Sequence, residues 1–474
     1  MTTFSIENFG CRATEADATT LRCSLRANGL TVVSDHSSAD VVVLNTCTVT
    51  AAADSQAREA VRKIHRMNPE ARIVVTGCYA QRAPEELAAL DGVAWVIGNS
   101  HLAGIPDAIR ASLVPHGGVS RPRASDFILV ERLETQSALI ERGPANILTG
   151  DIFAEASVQV APVMLMAGDR TRPILKIQDG CSNRCTFCVI PFVRGRSRSL
   201  PLDVVVEEVR KLAAAGAKEV VVSGINLGSY GRDLAPRAKL TDLVRRLLDE
   251  TEIEQLRFSS IEPQDITDDL VAVVASTDRL APHFHVPLQS GSDRILRAMR
   301  RWYRAEHYAE RIKLIRRLLP DAGIGADVMV GFPGETTEDF LTTLEFVERL
   351  PFTYLHVFSF SARPGTEAEH LPRAVPSRTI RERARKLRAL GKEKSAVFRQ
   401  SQAGRVVRAL TLARGRESWT AALTRNYLKV CVAGQRPANE WANVRVAINP
   451  SEVLEVLSPS TNGETDLRPS VAYS

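Results

Sequence analysis

The sequence lacks the features that mark a secreted or membrane-spanning chain. No apolar run reaches the roughly 18 residues that a bilayer span requires. Residues 1–10 also lack the basic start and apolar core of a secretory signal. These absences predict a cytoplasmic protein without a membrane partner.

Net charge and cysteine are also scarce. The formal charge is +6 over 474 residues, so composition alone does not identify a nucleic-acid binder. Eight cysteines in a reducing compartment argue against a disulfide framework and favour metal binding or catalysis. Between Ser377 and Gln400, nine Lys or Arg stand against two Glu. This run fits a solvated helix face or a phosphate-contacting surface equally well.

The length predicts two or three domains, and residues 1–115 are predicted to form a doubly wound parallel sheet. The apolar runs TTFSIENF, DVVVLN and RIVVTG alternate there with helical patterns. Cys11, Cys47 and Cys78 follow the carboxyl ends of these three strands. Such ends share one edge of an open sheet, where ligands bind. The pattern therefore predicts that the three thiols meet, although three ordinary buried thiols remain the alternative.

The remaining chain divides into four predicted segments. Residues 116–172 form a linker or insert, and residues 173–400 form an incomplete (β/α)6 barrel that ends in the basic helix. The barrel prediction rests on six strand candidates, ILKI, EVVVSG, LRFSS, HFHVPL, IGADVMVG and YLHVFSF. Loops at the carboxyl ends of such strands build the active site. Residues 401–460 form a small β-rich domain, and residues 461–474 are a tail.

The run CSNRCTFC places Cys181, Cys185 and Cys188 in a short loop after the first barrel strand. Three thiolates hold three corners of a cubane 4Fe–4S cluster and leave the fourth iron open to a ligand. A zinc knuckle or a ferredoxin fragment fits less well, because no further cysteine follows before Cys431. Cys23 and Cys431 lack comparable placement and are predicted to be structural.

CxxxCxxC, with Phe187 before its last cysteine, resembles the radical S-adenosylmethionine (SAM) superfamily. The resemblance implies that SAM binds the open iron and that one-electron reduction releases a 5'-deoxyadenosyl radical. Five residues at strand ends are candidates to contact SAM, and each is also a plausible cap or turn residue: Asn226, Ser229, Glu262, Gln289 and Asp327. His283 and His285 are predicted to pack inside the barrel rather than bind a ligand.

The motifs around the first three cysteines, GCRATEAD, NTCTVT and TGCYAQ, followed by Gly98 and Asn99, resemble the amino-terminal domain of the methylthiotransferases. KIQDGCSNRCTFCVIP, HVPLQSGS, GFPGETTEDF and HVFSFSARPGT extend the resemblance across most of the chain. It implies a second 4Fe–4S cluster on Cys11, Cys47 and Cys78. LTRNYLKVCVAG resembles the TRAM domain, which holds RNA. Base stacking there would fall to Trp419, Tyr427 and Trp441, unless this domain is a plain packing module.

GCR and NTCTVT most resemble the branch that acts on threonylcarbamoyladenosine beside the tRNA anticodon. Ala13 and Thr14 differ from the Asn and Gln usual after GCR. The isopentenyladenosine and ribosomal-protein branches are the alternatives. The resemblance implies that one SAM methylates a sulfur at the second cluster, while another yields the radical that removes hydrogen from carbon 2 of adenine.

The implied partners are the tRNA anticodon stem-loop, an electron donor such as flavodoxin or ferredoxin, and a sulfur donor. The target base must leave its stack to expose that carbon. A two-cluster electron-transfer protein is the non-enzymatic alternative, but it would not need six strand–helix units around its cluster loop.

Overall fold

The computed structural model describes residues 2–113, 137–141, 145–155, 158, 171–448 and 454–457. The predicted tail 461–474 and most of the predicted insert 116–172 lie outside these residues. Among the described helices, none is long and apolar enough to cross a membrane.

The N-terminal unit is a seven-stranded sheet with the order β2-β1-β3-β4-β5-β7-β6. All neighbours are parallel except β6, which runs antiparallel to β7. Its strands are β1 (Thr3–Asn8), β2 (Thr31–Val32), β3 (Val41–Thr46), β4 (Arg72–Gly77), β5 (Val93–Gly98), β6 (Ser137–Glu141) and β7 (Asn146–Gly150). Its helices are α1 (Arg12–Ala27), α2 (Ala51–Met67), α3 (Cys78–Arg82), α4 (Pro84–Ala88) and α5 (Ile105–Leu113).

Helices cover both faces of this sheet, as the alternation within β3 shows. Val42 and Leu44 belong to one apolar core with residues of α2, α3 and α4. Val41 and Val43 belong to the other core, with residues of α1 and α5. A strand buried on both faces reads as a continuous apolar run, as DVVVLN does. The predicted doubly wound sheet is confirmed.

The central unit is a partial barrel of six parallel strands. β11-β10-β8 and β12-β13-β14 form two sheets, and single bridges from Leu256 to Leu280 and from Ser260 to His285 join β11 to β12. A short strand, β9, pairs antiparallel with β8. The bounds are β8 (Ile174–Asp179), β9 (Arg198–Ser199), β10 (Glu219–Gly224), β11 (Gln255–Phe258), β12 (His283–His285), β13 (Gly323–Val330) and β14 (Tyr354–Ser359). The six predicted strand–helix units are confirmed.

Helices with regular capping surround this barrel. Before α12, the Thr336 hydroxyl accepts from the Asp339 backbone N–H, and the Asp339 carboxylate accepts from the Thr336 backbone N–H, a reciprocal cap that satisfies two free donors. The bounds are α6 (Ile190–Arg194), α7 (Leu202–Ala214), α8 (Leu240–Glu250), α9 (Asp268–Ala275), α10 (Asp293–Ala298), α11 (Ala305–Leu318), α12 (Thr337–Arg349) and α13 (Ser377–Gln402).

The C-terminal unit is a closed barrel with the order β15-β16-β17-β19-β18. Its strands are β15 (Val406–Arg416), β16 (Trp419–Thr424), β17 (Lys429–Ala433), β18 (Trp441–Ile448) and β19 (Leu454–Leu457). The turn between β16 and β17 docks against the amino-terminal end of the partial barrel. Arg257 donates to the carbonyl oxygen of Arg425 at 3.0 Å, and Asn426 donates to that of Asp321 at 3.0 Å.

A buried charge cluster joins the N-terminal sheet to the partial barrel. Arg194 in α6 donates to Asp17 of α1 at 2.7 Å and to Asp179, at the end of β8, at 3.1 Å. Lys176 donates to the same two carboxylates, at 2.6 Å to Asp179. All four side chains are buried. Two cations and two anions therefore compensate one another where the units meet.

A second junction lies on the other side of the N-terminal sheet. Arg363, which follows β14, pairs with Asp54 of α2 and donates to the Thr48 hydroxyl at 3.0 Å. Arg82 of α3 donates to Asp54 at 3.0 Å. The N-terminal unit is thus held to the first and the last parallel strand of the partial barrel, β8 and β14.

Replacing Arg194 by Gln is expected to lower the free energy of unfolding by about 3–5 kcal/mol, because Asp17 and Asp179 lose one of the two buried cations that they share and Lys176 alone remains. Urea unfolding followed by circular dichroism measures the effect. Arg196→Gln is the matched control, since this side chain is exposed in the same loop. Equal stability of the two variants would contradict the role of the charge cluster.

Candidate functional site

Three cysteines gather at the carboxyl edge of the N-terminal sheet. Cys11 precedes the first residue of α1, Cys47 directly follows β3, and Cys78 opens α3. The loop before Cys11 packs so closely that a Cβ on Gly10 would lie 2.9 Å from Cys47 Sγ, and the φ of Gly10 is +114°. Only glycine adopts this position without strain. The structure thus brings together the three cysteines that the sequence predicts to meet.

Burial disfavours charged sulfur at Cys47 and Cys78, the two buried cysteines of this first triad. It raises the pKa of Cys47 to about 12, and the neighbouring Cys78 and Cys11 add to the rise. Burial also raises the pKa of Cys78, while the charge of Arg194 opposes that rise. Arg194 Nε donates to Cys78 Sγ at 3.3 Å. Thiolates there need a positive partner, and a metal centre together with Arg194 would supply it.

The second triad lies in the loop between β8 and α6. Gly180, with a φ of +69°, turns the chain before Cys181, and a Cβ there would lie 2.0 Å from the Arg196 carbonyl oxygen. Burial raises the pKa of Cys181 to about 11 and that of Cys188 to about 12. The charges of neighbouring cysteines raise both pKa values further. The three thiols are therefore close neighbours, in a loop whose cysteines are partly exposed.

A second arginine stands beside this triad. Arg301 Nη1 donates to Cys185 Sγ at 3.3 Å, and the same guanidinium pairs with Glu262. Its Nε donates to the Tyr303 hydroxyl at 3.2 Å. Each cysteine triad thus has one buried arginine that donates to a sulfur.

Arg194 also connects the two triads. It touches Cys78 of the first triad and the carboxylate of Asp179, two residues before Cys181 of the second. Asp179 in turn accepts from the Gly180 backbone N–H at 2.8 Å. The two triads come from different sheets, and one guanidinium spans the junction between their loops.

Two of the five candidate SAM contacts face the second triad. Asn226 Nδ2 lies 4.0 Å from Cys181 Sγ, and Glu262 is close enough for its charge to raise the pKa of Cys181. Asn226 Oδ1 is buried and has no hydrogen-bond partner within the described part of the chain. Such an acceptor fits a bound ligand that donates a hydrogen bond, because an unpaired buried polar atom is costly.

The other three candidates have local partners. Ser229 donates to the Asn226 carbonyl oxygen at 2.7 Å, as a turn residue does. Gln289 has a φ of +67°, and its backbone bridges to β13 through Asp327 and Met329. Asp327 accepts from His285 Nε2 at 2.9 Å and lies 3.3 Å from His356 Nδ1. A contact between SAM and any of the five stays a prediction.

His283 and His285 lie in the interior of the partial barrel, which we call the lumen. The Tyr354 hydroxyl bridges His283 Nε2 at 2.8 Å and His285 Nδ1 at 3.0 Å. Burial works to raise the pKa of Asp327, but hydrogen bonds from His285 and His356 outweigh it and hold that pKa low. These histidines therefore order the lumen wall.

Sequence reasoning missed Arg194 and Arg301, because nothing in the local pattern separates them from other arginines. It also misplaced Tyr427. This ring stacks on His283 with centroids 4.1 Å apart and accepts from Arg12 at 3.2 Å, so it lies in the lumen rather than at an RNA-stacking surface. Trp441 is covered by Arg408, whose guanidinium carbon lies 4.3 Å from the ring centroid.

Two family models match the chain. Residues 3–98 match the "Uncharacterized protein family UPF0004", and residues 175–347 match the "Radical SAM superfamily". The first range covers the triad at Cys11, Cys47 and Cys78, and the second covers the CxxxCxxC loop.

Curated relatives match nearly the whole chain. A threonylcarbamoyladenosine tRNA methylthiotransferase of Aquifex aeolicus is 37% identical and covers 93% of this chain and 99% of its own. The enzyme of the same name from Bacillus subtilis is 34% identical over 92% and 91%. A tRNA-2-methylthio-N6-dimethylallyladenosine synthase of Thermobifida fusca is 34% identical over 86% and 77%.

Among solved structures, a radical SAM methyltransferase, TsrM from Kitasatospora setae, superposes with a TM-score of 0.56 at 16% identity. It covers 78% of this chain and 77% of its own. This likeness supports the fold. Together, the two matched families and the relatives at 34–37% identity show that the chain belongs to the radical SAM methylthiotransferase family, in its threonylcarbamoyladenosine tRNA branch.

Proposed function

We propose that this protein adds a methylthio group to carbon 2 of threonylcarbamoyladenosine next to the anticodon of tRNA. One observation carries the proposal: two cysteine triads from different sheets adjoin, and Arg194 contacts Cys78 Sγ and Asp179 at their junction. Transfer of a sulfur group by a radical needs a radical-generating centre and a sulfur-handling centre side by side. The relatives that carry this activity in their names support the substrate.

The family uses SAM and two 4Fe–4S clusters, and the donor sets fit them. Each loop offers three thiols, which leaves one iron open to another ligand. We assign the SAM-bound cluster to Cys181, Cys185 and Cys188. The auxiliary cluster belongs to Cys11, Cys47 and Cys78. When bound, these groups supply the radical that removes hydrogen and the sulfur that is transferred.

The chain's own residues hold this chemistry in place. Arg301 and Arg194 each donate to one triad sulfur and would compensate the charge of the thiolates. Asn226 and Glu262 stand beside the second triad, where they would orient SAM. Pairing between Glu262 and Arg301 keeps that carboxylate beside the cluster loop.

The protein surface carries a row of basic residues, here called the basic track, along which tRNA can reach the lumen. Helix α13 is 26 residues long, or about 39 Å. Five exposed cations are spaced three or four residues apart, which places them on one face of the helix. They are Arg378, Arg381, Arg385, Arg388 and Lys392. Near its start, Arg383 pairs with Glu335, just beyond the carboxyl end of β13. Its end adjoins the C-terminal barrel. The track therefore runs from the mouth of the lumen to that barrel.

The lumen is open beside this helix. Tyr354, His356 and Phe358 alternate along β14 and share its inner face, and Phe358 and His356 are exposed. Leu355 and Val357 point to the opposite face and pack against the central core. An unstacked base can thus enter at β14 while its stem follows α13.

We place the reaction in the cytoplasm, in keeping with the tRNA-acting relatives. It requires an electron donor, such as flavodoxin or ferredoxin, and a donor of sulfur. The proposal assigns no residue of this chain to the binding of either donor.

Anaerobically reconstituted protein is expected to hold about eight irons per chain, because each cubane carries four. Changing Cys181, Cys185 and Cys188 to Ala should leave about four and abolish the cleavage of SAM. Iron analysis and chromatography of 5'-deoxyadenosine measure both. The double variant Cys23→Ala, Cys431→Ala should keep eight irons and full cleavage. SAM cleavage by the triple variant would remove the radical assignment.

Changing Cys11, Cys47 and Cys78 to Ala should separate radical formation from sulfur transfer, since these residues belong to the other sheet. The reduced variant should release 5'-deoxyadenosine but make no methylthiolated nucleoside, as mass spectrometry of digested tRNA would show. Circular dichroism must accompany the assay, because metal ligands also support folding. Methylthiolation by the folded triple variant would refute the sulfur-handling role.

Changing Arg381, Arg385 and Lys392 to Gln should weaken tRNA binding and reduce its salt dependence. Each lost phosphate contact lowers the slope of log affinity against log salt by about 0.7–0.9, so three contacts predict a drop of about 2–3. Filter binding at several salt concentrations measures it. Arg62, Lys63 and Arg66 on α2 are equally exposed, and their triple Gln variant should bind as the parent does. Identical slopes for both variants would exclude α13 as the track.

A further inference from the structure

The floor of the lumen has an excess of positive charge. The guanidinium groups of Arg12, Arg172 and Arg257 lie around Tyr427. Burial works to raise the pKa of this phenol, but the three charges outweigh it and lower that pKa. Arg257 and Arg172 both bind the same carboxylate, Glu219, at 2.8 Å and 3.1 Å. Glu219 thus pairs with two of the three arginines.

Arg12 is the cation left without an acid. Its Nη2 donates to the Tyr427 hydroxyl at 3.2 Å, and its guanidinium carbon lies 5.9 Å from the centroid of the same ring. Between the residues that the structure describes, no carboxylate forms an ion pair with it. A guanidinium carries five N–H donors in a planar fork, so most of them remain available to a ligand in the lumen.

The position of Arg12 ties it to the reacting centre. It is the first residue of α1 and directly follows Cys11, a member of the first triad. Its side chain points into the lumen, where its charge also lowers the pKa of His283. Two adjacent residues therefore have different roles: Cys11 offers a sulfur to a metal centre, and Arg12 offers a positive charge to an anionic group of a ligand.

The chemistry of the substrate supplies that anion. A threonylcarbamoyl group on N6 ends in a carboxylate, whereas a dimethylallyl group is apolar. In adenine, carbon 2 and carbon 6, which carries N6, are alternate positions of the six-membered ring on either side of N1, so their substituents point in different directions. A substrate that presents carbon 2 to the first cysteine triad therefore directs its N6 group to one side of the triad, where Arg12, the neighbour of Cys11, extends its side chain.

We propose that Arg12 binds the carboxylate of the threonylcarbamoyl group and selects this substrate over adenosines whose N6 group is neutral. The inference rests on the proposed function and deepens it. A paired fork of N–H donors fits a carboxylate geometrically, and a neutral N6 group would leave the guanidinium without its anion. A binding site discriminates most strongly against a substrate analogue that leaves one of its polar groups unpaired.

The test compares two substrates within each protein variant. Anticodon stem-loop RNA carrying threonylcarbamoyladenosine is compared with the same RNA carrying its carboxylate methyl ester. The reconstituted full chain is assayed as wild type, Arg12→Gln, Arg12→Lys and Arg26→Gln. Arg26 is the matched control, because it lies in the last turn of the same helix. The measured quantity is the acid-to-ester ratio of kcat/KM.

Wild-type protein should prefer the acid by about 10- to 100-fold, the range expected for hydrogen bonds to a charged group. Arg12→Gln should bring the ratio close to one, Arg12→Lys should retain part of it, and Arg26→Gln should leave it unchanged. Both rates in each ratio come from the same protein preparation. A lower fraction of active or iron-loaded protein therefore reduces both rates equally and leaves the ratio unchanged.

A wild-type ratio that persists in Arg12→Gln would overturn the inference. It would show that Arg12 binds a group common to both reactions, such as an RNA backbone phosphate or the carboxylate of SAM, or has a structural role. RNA carrying dimethylallyladenosine is the third arm. If wild-type protein methylthiolates that RNA and leaves the threonylcarbamoyl RNA untouched, the proposed function itself fails.

Discussion

The buried guanidinium of Arg194 is the contact on which the arrangement of the site depends. It bonds to Asp17 of the N-terminal sheet, to Asp179 of the barrel and to Cys78 Sγ. A charge taken out of water is tolerated only with well-placed partners on all sides. These partners occur together only when α1 lies against β8. The requirement favours one relative placement of the two units, and that placement brings the cysteine triads together.

The two triads follow the same electrostatic plan. Burial raises the pKa of Cys47 and Cys78 in one triad and of Cys181 and Cys188 in the other, which opposes the thiolate state that a metal needs. Arg194 beside Cys78 and Arg301 beside Cys185 provide fixed positive charge at each site. Both arginines are themselves held by carboxylates, so they cannot turn away. The site is therefore prepared for anionic sulfur before a cofactor arrives.

The C-terminal barrel contributes to the lumen. Its turn carries Tyr427 to the lumen floor, where this ring stacks on His283 and meets Arg12. The floor is thereby built from all three units: Arg12 from the first, His283 from the second and Tyr427 from the third. The opposite end stays open along β14. A base that entered there, as proposed, would meet residues of every unit.

The sequence by itself determined the doubly wound sheet and the six strand–helix units, and it predicted the membership of both cysteine triads. These features are written in contiguous residues, because strand burial, helix periodicity and the CxxxCxxC spacing are local patterns. Tertiary structure alone decided that the triads adjoin, that Arg194 and Arg301 serve them and that Tyr427 enters the lumen. Asp17 and Arg194 are 177 positions apart, and no local pattern pairs residues whose contact arises only when two separately formed sheets dock.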